Sequence, residues 1–200
     1  MLILVRHGES EANAQGLLLG RTDVSLTELG RRQARAVRAL VRRPVHQLVT
    51  SPLIRARHTA DLLGLAVPAV VDTRWVEVDY GEFECRPLGE VPEEFWRAWT
   101  ADRHFRPSAG ESPADVESRV VEACDELFAH DGAGARRSEG DVVVVSHVTP
   151  IKTAVAWALG AADLSVRLHL HTASVTRIGW GRYGPVLHGF NEVAPSGQAG

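Results

Sequence analysis

The chain has 200 residues, 44% hydrophobic and 24% charged, with a formal net charge of -3. That is enough chain for one sizeable globular domain, and the balance of charge excludes the basic surface of a nucleic-acid binder. Two cysteines, Cys85 and Cys124, are too few for a disulfide scaffold, and no apolar run approaches the roughly 18 residues of a membrane span.

Strand and helix signals alternate from the start. Leu2 to Val5 is a short apolar run that stops at Arg6, too soon for a signal-peptide core. A cytoplasmic protein is therefore expected. Residues 25–43 read as a helix with Leu26, Leu29, Ala36, Val37 and Leu40 as its apolar face, capped by Ser25 or Thr27 and closed by Pro44. Gln47 to Ser51 is a second strand, and Pro52 is expected to start a second helix that ends at Gly64. Residues 66–72 form a third strand. The segment 75–113 is irregular and lid-like, with one short helix around Glu93 to Ala101. A long helix follows Ser112 as cap and Pro113 at its first position, with Val116, Val120, Val121, Cys124, Leu127 and Phe128 on its apolar side. DVVVVSH has the continuous apolar character of a central parallel strand, and TPIKTAVAWALG is the helix after it. ASVTRIGW and PVLHGF close the pattern as paired strands, and the tail from Asn191 is expected to fray. The whole implies a three-layer α/β/α sandwich with a mainly parallel central sheet, one domain over residues 1–200.

Ligands in such sheets bind beyond the carboxyl ends of the strands. Three strands end there in residues capable of chemistry. The first ends in Arg6-His7-Gly8, the second in Ser51-Pro52 with Arg55 just beyond, and the DVVVVS strand in His147. Two arginines and two histidines suit a phosphoryl group. Arginine offers a planar cationic fork to phosphate oxygens, and a neutral imidazole can attack phosphorus to give a covalent intermediate. The second histidine, if protonated, adds positive charge where the equatorial oxygens gain negative charge. Gly8 is expected to let the backbone pass close to the ligand.

Other chemistries find no support. GWGRYG, Gly179 to Gly184, formally matches a dinucleotide loop, but Pro185 and a strand-like run follow it, so it reads as a hairpin turn. There is no HExxH and no GxxxxGK[ST], and position 91 after Cys85 and position 130 after Cys124 are Val and His, not the arginine of a cysteine-based phosphatase. His46, His58, His104, His130, His169, His171 and His188 are assigned to structure or surface. Neither a metal nor a cofactor is expected.

The stretches LVRHGES with Asn13, GRTDVSLTELGRRQA, TSPLIRARHTA, WVEVDYGEFE, GESPADVESRV and VVVVSH, in that order, resemble the histidine phosphatase superfamily, also called phosphoglycerate-mutase-like. The resemblance spans about three-quarters of the chain, and it implies a phosphatase working through phosphohistidine on a small phosphorylated metabolite. It implies His7 as nucleophile, Arg6 and Arg55 as phosphate clamps, and His147 as the second pocket histidine. It implies Glu77 as general acid, Asn13 as a phosphate contact and Arg21 as a residue at the substrate mouth. Two departures stand beside the pocket, Cys85 and Val148, each where the family has glycine. A mutase is the nearest alternative, disfavoured by the short stretch between Glu77 and His147 and by the text YGEFE. A non-catalytic binding module of the same fold would need a lost catalytic residue, and none is missing. The oligomeric state is left open. Trp75, Trp96 and Trp99 are candidates for core or for the substrate mouth.

Overall fold

Alternate residues of the same strand serve opposite faces of one sheet, and this fixes the architecture. In the computed structural model, which describes residues 1–41, 43–132, 140–161 and 167–195 and the backbone alone of 129–132, six strands run in the order β3-β2-β4-β1-β5-β6. They are β1 (Leu2–Arg6), β2 (Val45–Thr50), β3 (Ala69–Val71), β4 (Asp141–Ser146), β5 (Ser174–Gly181) and β6 (Gly184–Val193). β3, β2, β4 and β1 are parallel, and β5 and β6 are antiparallel to their neighbours. The expected mainly parallel sheet is the observed one.

Leu2, Leu4, Val142 and Val144 face one core, and Ile3, Val5, Val143 and Val145 face the other. All are buried, which explains why β1 and β4 read as continuous apolar runs rather than alternating ones. The first core is closed by α5 (Pro113–Gly132), α6 (Val148–Leu159) and the aromatic side of α4 (Glu93–Ala101). The second is closed by α2 (Glu28–Val37) and α3 (Ile54–Leu62). A four-residue helix, α1 (Glu11–Ala14), turns the chain after β1.

Several boundaries depart from the sequence reading. Thr27, not Ser25, caps α2, its hydroxyl accepting from the Gly30 N–H at 3.0 Å. The buried positions of α2 are Gly30, Ala34 and Val37, while Leu29 is exposed. The contact uses the smallest residues because α2 crosses the end of β1 at close range. α3 begins at Ile54 rather than Pro52, and Gly64 follows it in a left-handed conformation at φ +59°. The GWGRYG text is the β5–β6 hairpin, with Gly181 opposite Gly184. Residues Asn191 to Val193 belong to β6 instead of fraying, and positions 196–200 lie outside the described residues, as does the side chain of His130. No helix among the described residues is long and apolar enough to cross a membrane.

Gly8 has a close backbone neighbour in α2. A Cβ placed there would stand 2.3 Å from the Gly30 carbonyl oxygen, and one on Gly30 would stand 2.0 Å from the Glu9 carbonyl oxygen. Gly8 passes closely by the backbone of α2. Gly8→Ala should therefore destabilise the fold by about 2–3 kcal/mol, in the range of overpacked cores, read as a shift in the urea midpoint at unchanged slope. A neutral result would show that α2 can retreat without cost.

Candidate active site

The strand register assembles the site. Arg6 lies opposite Ser146 in the β1–β4 ladder, so His7 and His147, one residue further on each chain, leave the sheet side by side. The His7 N–H still bonds to the Ser146 carbonyl at 3.0 Å, and the two imidazole centroids are 5.0 Å apart. On the other flank of β4, β2 delivers Ser51, whose Oγ meets His147 Nε2 at 2.7 Å.

His7 Nδ1 lies 2.7 Å from the Gly8 carbonyl oxygen. That oxygen can only accept, so Nδ1 carries the proton and Nε2 keeps the lone pair. Both imidazoles are held well below the ordinary value of 6.5. Burial is the first cause; Arg55 and Arg6 add to it for His7, and Arg55, His7 and Arg6 for His147. These causes favour the neutral form of His147 as they do that of His7. A pH effect on stability follows. The unfolded chain takes up protons below pH 6.5 that the folded chain refuses, so stability is whole above that value and falls with acidity. The expected loss is about 1.4 kcal/mol per pH unit for each histidine. Urea unfolding at a series of pH values checks this, and His7→Asn should remove about half of the acid-side slope.

Arg55 is fully buried, its guanidinium donating to the carbonyls of Gly20 at 2.5 Å and Thr22 at 2.8 Å. Arg6 donates to the Leu170 carbonyl at 2.5 Å, and burial lowers its pKa to about 10 against the pull of Glu77. Arg6 Nε, Arg55 Nε and His147 Nδ1 are buried without a hydrogen-bond partner. Unpartnered buried donors of this kind are costly, and here they belong to three of the four residues expected to hold one tetrahedral anion.

Glu77 sits at the opposite wall, 4% exposed. Its Oε1 accepts from the Val78 N–H at 2.9 Å and the Thr149 N–H at 3.2 Å, and its Oε2 from the Val148 N–H at 3.0 Å. The last two are orphan donors of the first turn of α6, so the departure Val148 leaves this contact intact because it is made by backbone. Arg6, His7, Asn13, Glu77, Val148 and Thr149 line one cavity of about 310 Å³. Asn13 spends its Oδ1 on the Ser10 N–H at 3.1 Å and the Ser10 hydroxyl at 2.9 Å, which leaves its amide N–H groups for the cavity. Trp96 and Trp99 line the cavity, whereas Trp75 is fully buried core.

Arg21 is not brought to this cavity. It pairs with Glu111 at 2.7 Å and reaches Asp79 at 3.8 Å. Cys85 is exposed and absent from the cavity wall; it holds φ +60°, the left-handed conformation in which glycine is unstrained. Sequence reasoning missed Tyr80, Glu84 and Lys152. No group of three or more His, Cys, Asp or Glu among the described residues could hold a metal ion.

Residues 2–193 match the histidine phosphatase superfamily, branch 1. The chain belongs to this superfamily. The family resemblance read from the motifs is thereby borne out. The bifunctional protein Rv2228c of Mycobacterium tuberculosis is 38% identical over 184 residues, which cover 88% of this chain and 49% of that protein. The chain thus spans about half the length of the first relatives it matches. A glucosyl-3-phosphoglycerate phosphatase of Mycolicibacterium vanbaalenii is 35% identical over 80% of this chain and 74% of its own. Among solved structures, a phosphoserine phosphatase from Entamoeba histolytica in complex with 3-phosphoglyceric acid superposes with TM-score 0.84 at 27% identity, covering 96% of each chain.

Proposed function

We propose that this histidine phosphatase hydrolyses phosphomonoesters of small metabolites through a phosphohistidine at His7. The observation that carries the reading is the fixed tautomer of His7. Its Nε2 lone pair is the one nucleophilic position on a ring whose other nitrogen is tied to the Gly8 carbonyl. Arg6, Arg55, Asn13 and His147 would hold the phosphoryl oxygens, and a bound dianion would supply the negative charge that His147 needs to become protonated. In the first half-reaction the Nε2–P bond forms as the ester P–O bond breaks, and Glu77 gives its proton to the leaving oxygen. In the second, Glu77 takes a proton from water, whose oxygen attacks phosphorus and returns the electron pair to His7. The relatives named for glucosyl-3-phosphoglycerate and phosphoserine support a small organic phosphate as substrate.

The arginines and histidines do here the charge stabilisation that a metal does elsewhere. Hydrolysis of 4-nitrophenyl phosphate should therefore survive exhaustive EDTA treatment. The same preparation, given 3-phosphoglycerate and a bisphosphoglycerate primer, should release phosphate faster than it forms 2-phosphoglycerate. Loss of activity to EDTA with recovery on added magnesium or zinc would overturn the chemical reading; fast isomerisation would favour the mutase.

A further inference from the structure

We propose that Glu84 is a positioning residue that aims the Arg55 guanidinium at the phosphoryl group. The inference deepens the phosphatase reading above and rests on it. Glu84 is half-buried and directly follows the single helical turn Gly81–Phe83. Its carboxylate accepts from the N–H groups of Gly20 at 3.2 Å, Arg21 at 2.9 Å and Thr22 at 3.1 Å, and from the Thr22 hydroxyl at 2.8 Å. It also accepts from the N–H of Tyr80, a residue of the cavity wall, at 3.3 Å. Successive backbone N–H groups turned to one side form a concavity that favours an anion, and here the anion is a side chain of the protein itself. A Cβ on Gly20 would stand 1.9 Å from Glu84 Oε1, so the 20–22 loop is closed tightly on the carboxylate.

The opposite side of the same loop holds the arginine. The Gly20 carbonyl accepts from Arg55 Nη2 at 2.5 Å, and the Thr22 carbonyl from Nη1 at 2.8 Å. The peptide unit between Gly20 and Arg21 takes part in both sets of contacts. In a trans peptide the N–H and the C=O lie in one rigid plane and point in opposite directions. This unit therefore donates to Glu84 from one edge and accepts from Arg55 at the other. Hydrogen bonds in such a chain polarise one another, so the carboxylate makes the Gly20 carbonyl a stronger acceptor. The loop takes one N–H from each terminal nitrogen of Arg55. Nε, buried without a partner, is left for the phosphoryl oxygens.

Two further contacts fix the loop at its ends. Just before it, the Leu18 N–H bonds to the Arg86 carbonyl and the Cys85 N–H to the Leu18 carbonyl, each at 2.8 Å, so the residues after Glu84 are held in register with the loop. Just after it, Asp23 Oδ1 accepts from the Ile54 N–H at 2.7 Å, one residue before Arg55. Glu84 holds the loop between these anchors, and the loop aims the arginine.

A double-mutant cycle with Arg55→Ala separates aiming from general support of the fold. Glu84→Ala should weaken vanadate inhibition and lower kcat/KM for 4-nitrophenyl phosphate by roughly 10–100-fold, the worth of one hydrogen bond to a charged group. In the Arg55→Ala background the same change should cost less than about threefold. Glu84→Gln, which keeps one acceptor oxygen, should fall between Glu84→Ala and the wild type. Equal losses in both backgrounds would overturn the inference, as would wild-type vanadate affinity in Glu84→Ala. If Glu84→Ala does not fold, Glu84→Gln runs through the same cycle with the same outcomes. A wild type inactive on 4-nitrophenyl phosphate would instead overturn the phosphatase reading beneath it.

Discussion

His7→Ala should lose turnover on every phosphomonoester, by roughly 10⁵-fold or more, the scale seen when a covalent nucleophile is removed. The loss should be independent of the leaving group, because the step removed is common to all substrates. Denaturation in base after mixing with ³²P-labelled substrate, followed by peptide mapping, should place acid-labile label on His7 in the parent protein and nowhere in the variant. Label elsewhere, or residual turnover that depends on the leaving group, would reassign the nucleophile. The fold should tolerate the change. His7 is buried without charge, and among the described residues its ring hydrogen-bonds to the adjacent carbonyl alone.

Glu77→Gln should separate the two halves of the reaction. An alkoxide leaves poorly without a proton, so alkyl phosphates should slow by roughly 10²–10⁴-fold. Nitrophenolate leaves without help, so its first-turnover burst should slow by about tenfold or less. Breakdown of the phosphoenzyme needs a base, so the burst should be followed by a slow phase with phosphohistidine accumulated. Equal losses for both leaving groups would remove Glu77 from the acid's role. Glutamine offers one acceptor where the N–H groups of Val78, Val148 and Thr149 use two. Some thermal destabilisation should accompany the kinetic effect, and a melt on the same samples measures it.

The parts of this site that could be read from the sequence are those set by backbone. RHG and SH stand at the ends of apolar runs, and the parallel register that brings His7 beside His147 follows once those runs are neighbouring strands. α4 was legible because its Pro92 and its run of aromatic residues mark it off from its surroundings. Contacts between side chains far apart in sequence were not legible. Nothing near Arg21 signals that Glu111 will claim it, and nothing near Glu84 signals that a loop more than sixty residues earlier in the chain will close on it. The face of α2 was misread for another reason. Its tightest contact is made by Gly30 and Ala34, and a search for large apolar residues passes over a contact made by their absence.

The place of β1 in the sheet bears on how the chain is made. It is the first of the six strands in the sequence, yet its two neighbours, β4 and β5, are the fourth and fifth. Until residues beyond Asp141 have emerged, Leu2 to Val5 have no partner for their backbone and no second layer for their side chains. Long-range pairing of this kind is slow and leaves apolar segments exposed while it waits. Recovery of activity after dilution from denaturant would report the docking of the central strand rather than the formation of any helix, since His7 and His147 meet only when β1 enters its slot.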